Sequence, residues 1–253
     1  TASQTVIRPE LRELSALNIY DFELNASVAG NPSLKRTKIT NTDLRYELYP
    51  GAGELFTVGV FYKNFENPIE SIFNEGSGGA SLFSFQNVSK ATAFGFEVEG
   101  RKKLTTRFTL QANGSYINSK TKDAALNVDR PLQGQSPYLI NTGLLYDVVE
   151  KGFNMTVLFN QVGKRIYLVG DLQAGAATPD VFENPRALVD FQISKKFAEN
   201  KAEIRFTISD ILNQRQIFYQ NNNSNTEYSA GSDAIRFSRK FGTTFGVTLN
   251  YSL

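Results

Sequence analysis

The side chains that could carry chemistry in this 253-residue chain sit either in one alternating run or in a few clusters between strand-like segments. Glu97, Glu99 and Arg101 stand two apart, which places three charges on one face of an extended segment. Two neighbouring carboxylates are raw material for acid–base catalysis, but that chemistry also needs a nucleophile, a base and an orienting group that converge. Histidine and cysteine are absent, which excludes imidazole triads, thiol chemistry, disulfides and Cys/His metal centres. No D-x-[DN]-x-[DN]-G run marks a calcium loop. We therefore expect no enzyme activity, no cofactor and no metal, and read Glu97, Glu99 and Arg101 as a hydrated charged wall. The remaining candidates would bind a ligand: Asp129 and Arg130 beside one connection, Arg165 and Tyr167 at the end of a strand, and Asn221, Asn222 and Asn223 in the last connection.

Composition narrows the class of element that can hold these residues. The 27 basic and 25 acidic side chains nearly cancel, so there is no clustered basic face for nucleic acid. Aromatic residues are skewed to 20 Phe and 11 Tyr, with no Trp. No apolar run approaches the roughly 18 residues of a transmembrane helix. A β-barrel is the membrane-spanning architecture compatible with this composition, because only every second residue faces lipid. No signal peptide opens the chain and Thr1 leads straight into strand-like sequence, so we expect a mature chain or a fragment.

Period two runs through the sequence. Phe245, Val247, Leu249, Tyr251 and Leu253 alternate with Thr244, Gly246, Thr248, Asn250 and Ser252. Phe94, Phe96 and Val98 alternate with Gly95, Glu97 and Glu99, and Ile204, Phe206 and Ile208 with Arg205 and Thr207. Phe56, Val58, Val60 and Tyr62 share a face, although Phe61 interrupts the polar one. About ten such strands can be counted, several longer than the 9–11 residues that just cross a bilayer. Alternation alone fits a soluble β-sandwich equally well; connection lengths separate the two. Short turns at residues 50–53, 105–106, 150–152 and 198–200 alternate with long connections at 9–32, 74–81, 121–131, 171–185 and 220–233. Strict short–long alternation is the expectation for an antiparallel up-and-down outer-membrane barrel, with tight periplasmic turns and long external loops. It places Leu253 on the periplasmic side. Tyrosines near strand ends, such as Tyr62, Tyr116 and Tyr138, suit the two membrane interfaces.

Several segments then resemble the barrel of TonB-dependent receptors, of the type common in Bacteroidota. They are Arg8–Leu14 with Tyr20-Asp21-Phe22, Gly30-Asn31-Pro32, Asn41–Glu47, Phe61-Tyr62-Lys63 with Asn67–Glu70, Gly95–Glu99, Leu132–Tyr138, Asp210–Asn213 and the closing Phe245–Leu253 strand. They follow the family's order over nearly the whole chain. The resemblance implies an all-β fold: residues 1–253 would be about ten C-terminal strands of a 22-strand barrel, without its plug domain. It implies energy-coupled uptake of a scarce nutrient (siderophore, haem, cobalamin, glycan or peptide). The implied partners are outer-membrane lipid, the TonB complex acting through the plug, the nutrient, and a surface lipoprotein. Two departures stand out: family members usually end on an aromatic residue where this chain has Leu253, and no TonB box is recognisable. The competing readings are a soluble β-sandwich adhesin or binding module, and a passive outer-membrane barrel.

Overall fold

The computed structural model describes residues 1–22, 26–75, 81–123, 128–170, 178–221 and 227–251. Strand β1 (Ala2–Ile7) leads to a one-turn helix α1 (Leu11–Leu14) and the antiparallel pair β2 (Asn18–Asp21) and β3 (Ala26–Ala29). The long strands β4 (Thr37–Leu48) and β5 (Leu55–Glu66) follow, then the pair β6 (Ile69–Glu75) and β7 (Ser81–Asn87). Next come β8 (Lys90–Lys103) and β9 (Phe108–Asp123), with the short β10 (Val128–Arg130) folded back on the end of β9. A single 3-10 turn separates β11 (Tyr138–Val148) from β12 (Phe153–Val162), and β13 (Arg165–Gly170) and β14 (Val181–Glu183) follow. The chain finishes with β15 (Arg186–Phe197), β16 (Ala202–Ser209), β17 (Gln216–Gln220), β18 (Ala234–Arg239) and β19 (Thr244–Tyr251).

Two sheets result. Ten strands form a wall in the order β1-β4-β5-β8-β9-β11-β12-β15-β16-β19, with β10 attached to β9. Every neighbour along it is antiparallel and next in line among the long strands, which is the up-and-down pattern. The expected ten strands and the alternation of short and long connections are both present. The long connections differ from simple loops. They contribute eight short strands to a second sheet, β18-β17-β14-β13-β6-β7-β3-β2, at one end of the wall. These strands are three to seven residues long and several are buried on both faces, as at Ile166, Leu168 and Val169 of β13. A period-two search has nothing to detect there.

Register assembles the apolar residues of the wall into continuous rows on one face. Leu44, Val60, Phe96, Tyr116 and Tyr138 are successive cross-strand partners. So are Phe108, Tyr146, Met155, Ile193, Phe206 and Val247 further down. Towards the edges of the wall these side chains are open, Leu44 at 72% and Val247 at 70% exposure, and from Phe108 to Phe206 they are half-buried without joining any buried core. A sandwich would pack this face against its second sheet. Here the second sheet keeps a separate core of Ala26, Val28, Phe73, Phe83, Leu168, Val181 and Phe218. The soluble-sandwich alternative fails at this point. Each large apolar side chain gains about 1.5–3 kcal/mol on leaving water, so a whole uncovered face requires an apolar solvent such as lipid.

The interruption at Phe61 also has a local cause. Phe61 pairs directly with Gly95 of β8, and its ring lies across the space a side chain there would occupy. A Cβ on Gly95 would come within 2.6 Å of both the Phe61 ring and the Tyr116 carbonyl. The aromatic ring substitutes for the missing side chain and shields the backbone of a bare strand position.

Candidate functional site

The second sheet, a loop layer, is held over the end of the wall by polar joints. Gln133, in the connection between β10 and β11, does most of this. Its Oε1 accepts from the Ser71 N–H at 2.7 Å, while its Nε2 donates to the carbonyls of Ser71 (3.0 Å) and Tyr167 (2.8 Å). A side-chain amide has the donor–acceptor pair of a peptide group, so Gln133 serves as an added rung between β6 and β13. Those strands pair in parallel only at Ile72–Val169 and Phe73–Gly170. The Gly134 N–H adds a bond to the Ile166 carbonyl at 2.8 Å.

Beside it, Arg130 forks onto Glu70: Nη1 reaches Oε1 at 2.9 Å and Nη2 reaches Oε2 at 2.6 Å. The Glu70 side chain is fully buried and that of Arg130 is 13% exposed. Such a pair contributes little net stability, because desolvation offsets the attraction, but losing one partner strands a buried charge. Asp180 accepts from the Gly170 N–H at 2.8 Å. Burial pushes its carboxyl above the usual aspartate range, against that hydrogen bond and the nearby Arg130 charge. A Cβ on Gly170 would lie 1.8 Å from the Thr178 carbonyl, so only glycine fits this corner.

Aromatic packing closes the layer. The Tyr167 ring contacts Phe218 (centroids 4.5 Å apart) and Phe237 (5.8 Å), and those two stack at 4.2 Å. Arg236 of β18 lies 4.5 Å above the Phe73 ring of β6, although three strands separate them in the sheet. Four inter-strand steps of about 4.8 Å would place them far apart in a flat sheet; the sheet is rolled. Arg239 lies over Phe218 and Phe237 at 5.5 and 5.3 Å. Burial is the largest cause that pushes the Tyr219 phenol up to about 12, reinforced by Asp233 and Glu227, so it stays protonated. A cavity of about 370 Å³ opens between α1 and this layer, lined by Glu10, Arg12, Asp21, Ser71, Phe85 and Tyr167 among others.

The candidates from sequence are thus partly brought together. Arg130 and Tyr167 meet at the Gln133 joint. Arg165 is one step along: its Nε donates to Glu183 at 2.6 Å, and Gln216 donates to the other Glu183 oxygen at 2.6 Å, tying β13, β14 and β17. Asp129 lies on the opposite side, paired with Lys120 at 2.8 Å on the apolar face's edge. Asn221 directly follows β17, and Asn222 and Asn223 lie outside the described residues. Gln133, Glu70, Arg236 and Arg239 were not singled out. Glu70 and Gln133 each carried a signal, inside the Asn67–Glu70 and Leu132–Tyr138 segments; Arg236 and Arg239 carried none.

On the polar face of the wall, Arg45 bonds Glu47 at 2.8 Å and approaches Glu99 at 3.9 Å. Asn113, Asn141 and Asn160 form a side-chain ladder over three strands. A cavity of about 260 Å³ lies against this patch, with Glu97, Glu99, Asn113 and Asn141 in its lining. Loop layer and wall together present hydrogen-bonding groups, ion pairs and ring faces. Those are means of binding.

Comparison with known proteins agrees with this architecture. No curated protein sequence matches the chain. Among solved structures it is similar to the ferric enterobactin receptor PfeA of Pseudomonas aeruginosa, with a TM-score of 0.63 at 17% identity over 100% of this chain and 37% of that one. The siderophore receptor PirA of Pseudomonas aeruginosa gives 0.60 at 13% over 100% and 38%, and the copper transporter OprC 0.66 at 15% over 100% and 36%. The chain therefore spans little more than a third of the length of these proteins, and at such identities the likeness is one of fold. The model of the outer membrane protein beta-barrel family matches residues 1–251, and the chain belongs to that family.

Proposed function

We propose that this chain is the C-terminal part of the barrel of a TonB-dependent nutrient receptor of the Bacteroidota type, acting in energy-coupled uptake and not in catalysis. The observation that carries the reading is the full-length fit of the chain onto little more than a third of a ferric enterobactin receptor, a siderophore receptor and a copper transporter. The loop layer supports it: a rolled, aromatic-cored sheet with arginines over the rings suits capture of a ligand above a polar wall. In this reading the layer faces the outside of the cell and Tyr251 the periplasm. The nutrient, of the siderophore, haem, cobalamin, glycan or peptide class, meets Arg130, Arg165, Tyr167, Asn221, Asn222 and Asn223 or their neighbours, and Asp129, turned to the other side with Lys120, is left out of the contact. TonB acts through a plug, and a surface lipoprotein is a further partner. The test is uptake by cells carrying the full-length protein. Accumulation of one nutrient class should require both this protein and TonB; uptake that persists without TonB would favour a passive barrel.

A further inference from the structure

Register places a group of lysines on the apolar side of the wall, just beyond its aromatic rows. On β8 and β9 the residues Phe96 and Tyr116 are partners, then Phe94 and Asn118, Thr92 and Lys120, and finally Lys90 and Lys122. All share one face, since successive pairs on a face recur every second residue. Lys90, Lys120 and Lys122 are exposed, as are Phe94, Phe96, Tyr116 and Asn118. Lys90 and Lys122 stand directly opposite each other, an arrangement of like charges that destabilises a strand pair. Among the described residues, only Lys120 of the three has a carboxylate in ion-pair range, Asp129 at 2.8 Å. Glu66 stands opposite Lys90 and Asp129 opposite Lys122 in the register, so three ammonium groups face two carboxylates and one positive charge is left over at the boundary where the apolar face ends.

We propose that Lys90, Lys120 and Lys122 bind the phosphate of a membrane-lipid headgroup while Phe94, Phe96 and Tyr116 lie against its apolar part. The position fits no soluble anion better: a lipid phosphate lies at the level where a bilayer's apolar zone gives way to water, and so do these lysines on the wall. A phosphate between Lys90 and Lys122 turns their mutual repulsion into two attractions. Basic residues near a charged membrane surface each strengthen attachment by a factor of roughly five. The inference rests on the apolar face meeting lipid and not on which nutrient is carried, so uptake and lipid retention are separate readouts.

The test uses the full-length protein in mild detergent, with a bis-phosphorylated glycolipid and phosphatidylcholine as probes and bound lipid counted by native mass spectrometry. Wild type should retain the phosphorylated probe in preference to phosphatidylcholine. The double variant Lys90→Gln/Lys122→Gln should bind it about 25-fold more weakly, and Lys90→Arg/Lys122→Arg should keep it. Lys63→Gln, on the other face of β5, should change nothing. A photo-cross-linker at Thr92, between the lysines, should capture the probe in the otherwise unaltered protein, which keeps the test valid if the glutamine variant folds poorly. Equal retention by wild type and the folded glutamine variant would overturn the proposal. So would equal loss with Lys63→Gln, an absent Thr92 adduct, or full displacement by millimolar inorganic phosphate.

Discussion

At the scale of single residues, the loop layer depends on a few polar groups that cannot be exchanged for their nearest chemical relatives. Gln133 both accepts from and donates to backbone. Gln133→Glu keeps the acceptor but turns two donations into contacts between a carboxylate and carbonyl oxygens. It should loosen the layer more than Gln133→Ala, where each lost bond costs about 0.5–1.5 kcal/mol. Hydrogen exchange at Ser71 and around Tyr167 is the readout, and faster exchange in the alanine variant would contradict the account. Arg130→Ala should be harsher still, about 3–5 kcal/mol, because it abandons the buried Glu70 carboxylate. Asp180 sets a pH dependence of definite sign. Its pKa is raised by burial in the folded chain, so its contribution to stability is full below the ordinary aspartate range and is lost as pH rises through the elevated value. The stability of the layer, read as amide protection around Tyr167, should therefore fall as pH rises from acid towards neutral, while the Gly170 amide itself donates more strongly to the carboxylate than to the acid. Asp180→Asn, which keeps an acceptor for that amide, should flatten the trend.

At the scale of elements, β19 has the simplest geometry to test. Val247 and Leu249 lie on its apolar side and Thr248 and Asn250 on its polar side, in unbroken register with β16. Leu249 is largely exposed, so in water an arginine there would meet no packing to disturb. In a bilayer an arginine on the lipid face costs about 2–4 kcal/mol at the midplane and less towards the interfaces. Leu249→Arg should impair folding of the full-length protein into liposomes well beyond Thr248→Arg. Matching folding yields for the two would show that the faces have been assigned the wrong way round. The same period explains Phe61 and Gly95: a ring from one strand covers a glycine on the next where the alternation breaks. Gly95→Val should separate β8 from β9, since its Cβ meets the Tyr116 carbonyl and that atom cannot move aside.

For the whole molecule, connection length and sheet membership are coupled. Every long connection lies at one end, and between them they build the second sheet; the other end has only turns such as Ala198–Asn200, whose residues all have positive φ. This asymmetry predicts sidedness in the proposed receptor. Cysteine at Ser232, in the last long connection, should react with an impermeant thiol reagent on intact cells, and cysteine at Thr106, in a short turn, should not. The reverse pattern would invert the orientation and with it the location proposed for Tyr251. The wall itself is open: β1 and β19 each pair on one edge only among the described residues. Unpaired edges of this length are sites for further strands.

The wall was legible in the sequence because a one-sided strand writes its environment at every second position. Phe245 to Tyr251 and Phe94 to Val98 needed no partner to reveal their two faces, and turn residues at 150–152 and 198–200 marked their ends. The candidate site was legible only in part. Arg130, Arg165 and Tyr167 were identifiable as polar or aromatic residues near strand ends, but their use in joining loops was not. Glu70 and Gln133 are 63 positions apart in sequence and act at one junction; that proximity arises from which connections fold over which. The rolled second sheet lay beyond reach for the same reason. Its strands are short, some are buried on both faces, and their pairing in parallel or across three strands is set by long-range closure rather than by any local period. Local alternation determined the wall, because strand geometry depends only on neighbouring residues. Tertiary structure decided the layer above it, because burial there is supplied by residues from connections remote in the chain.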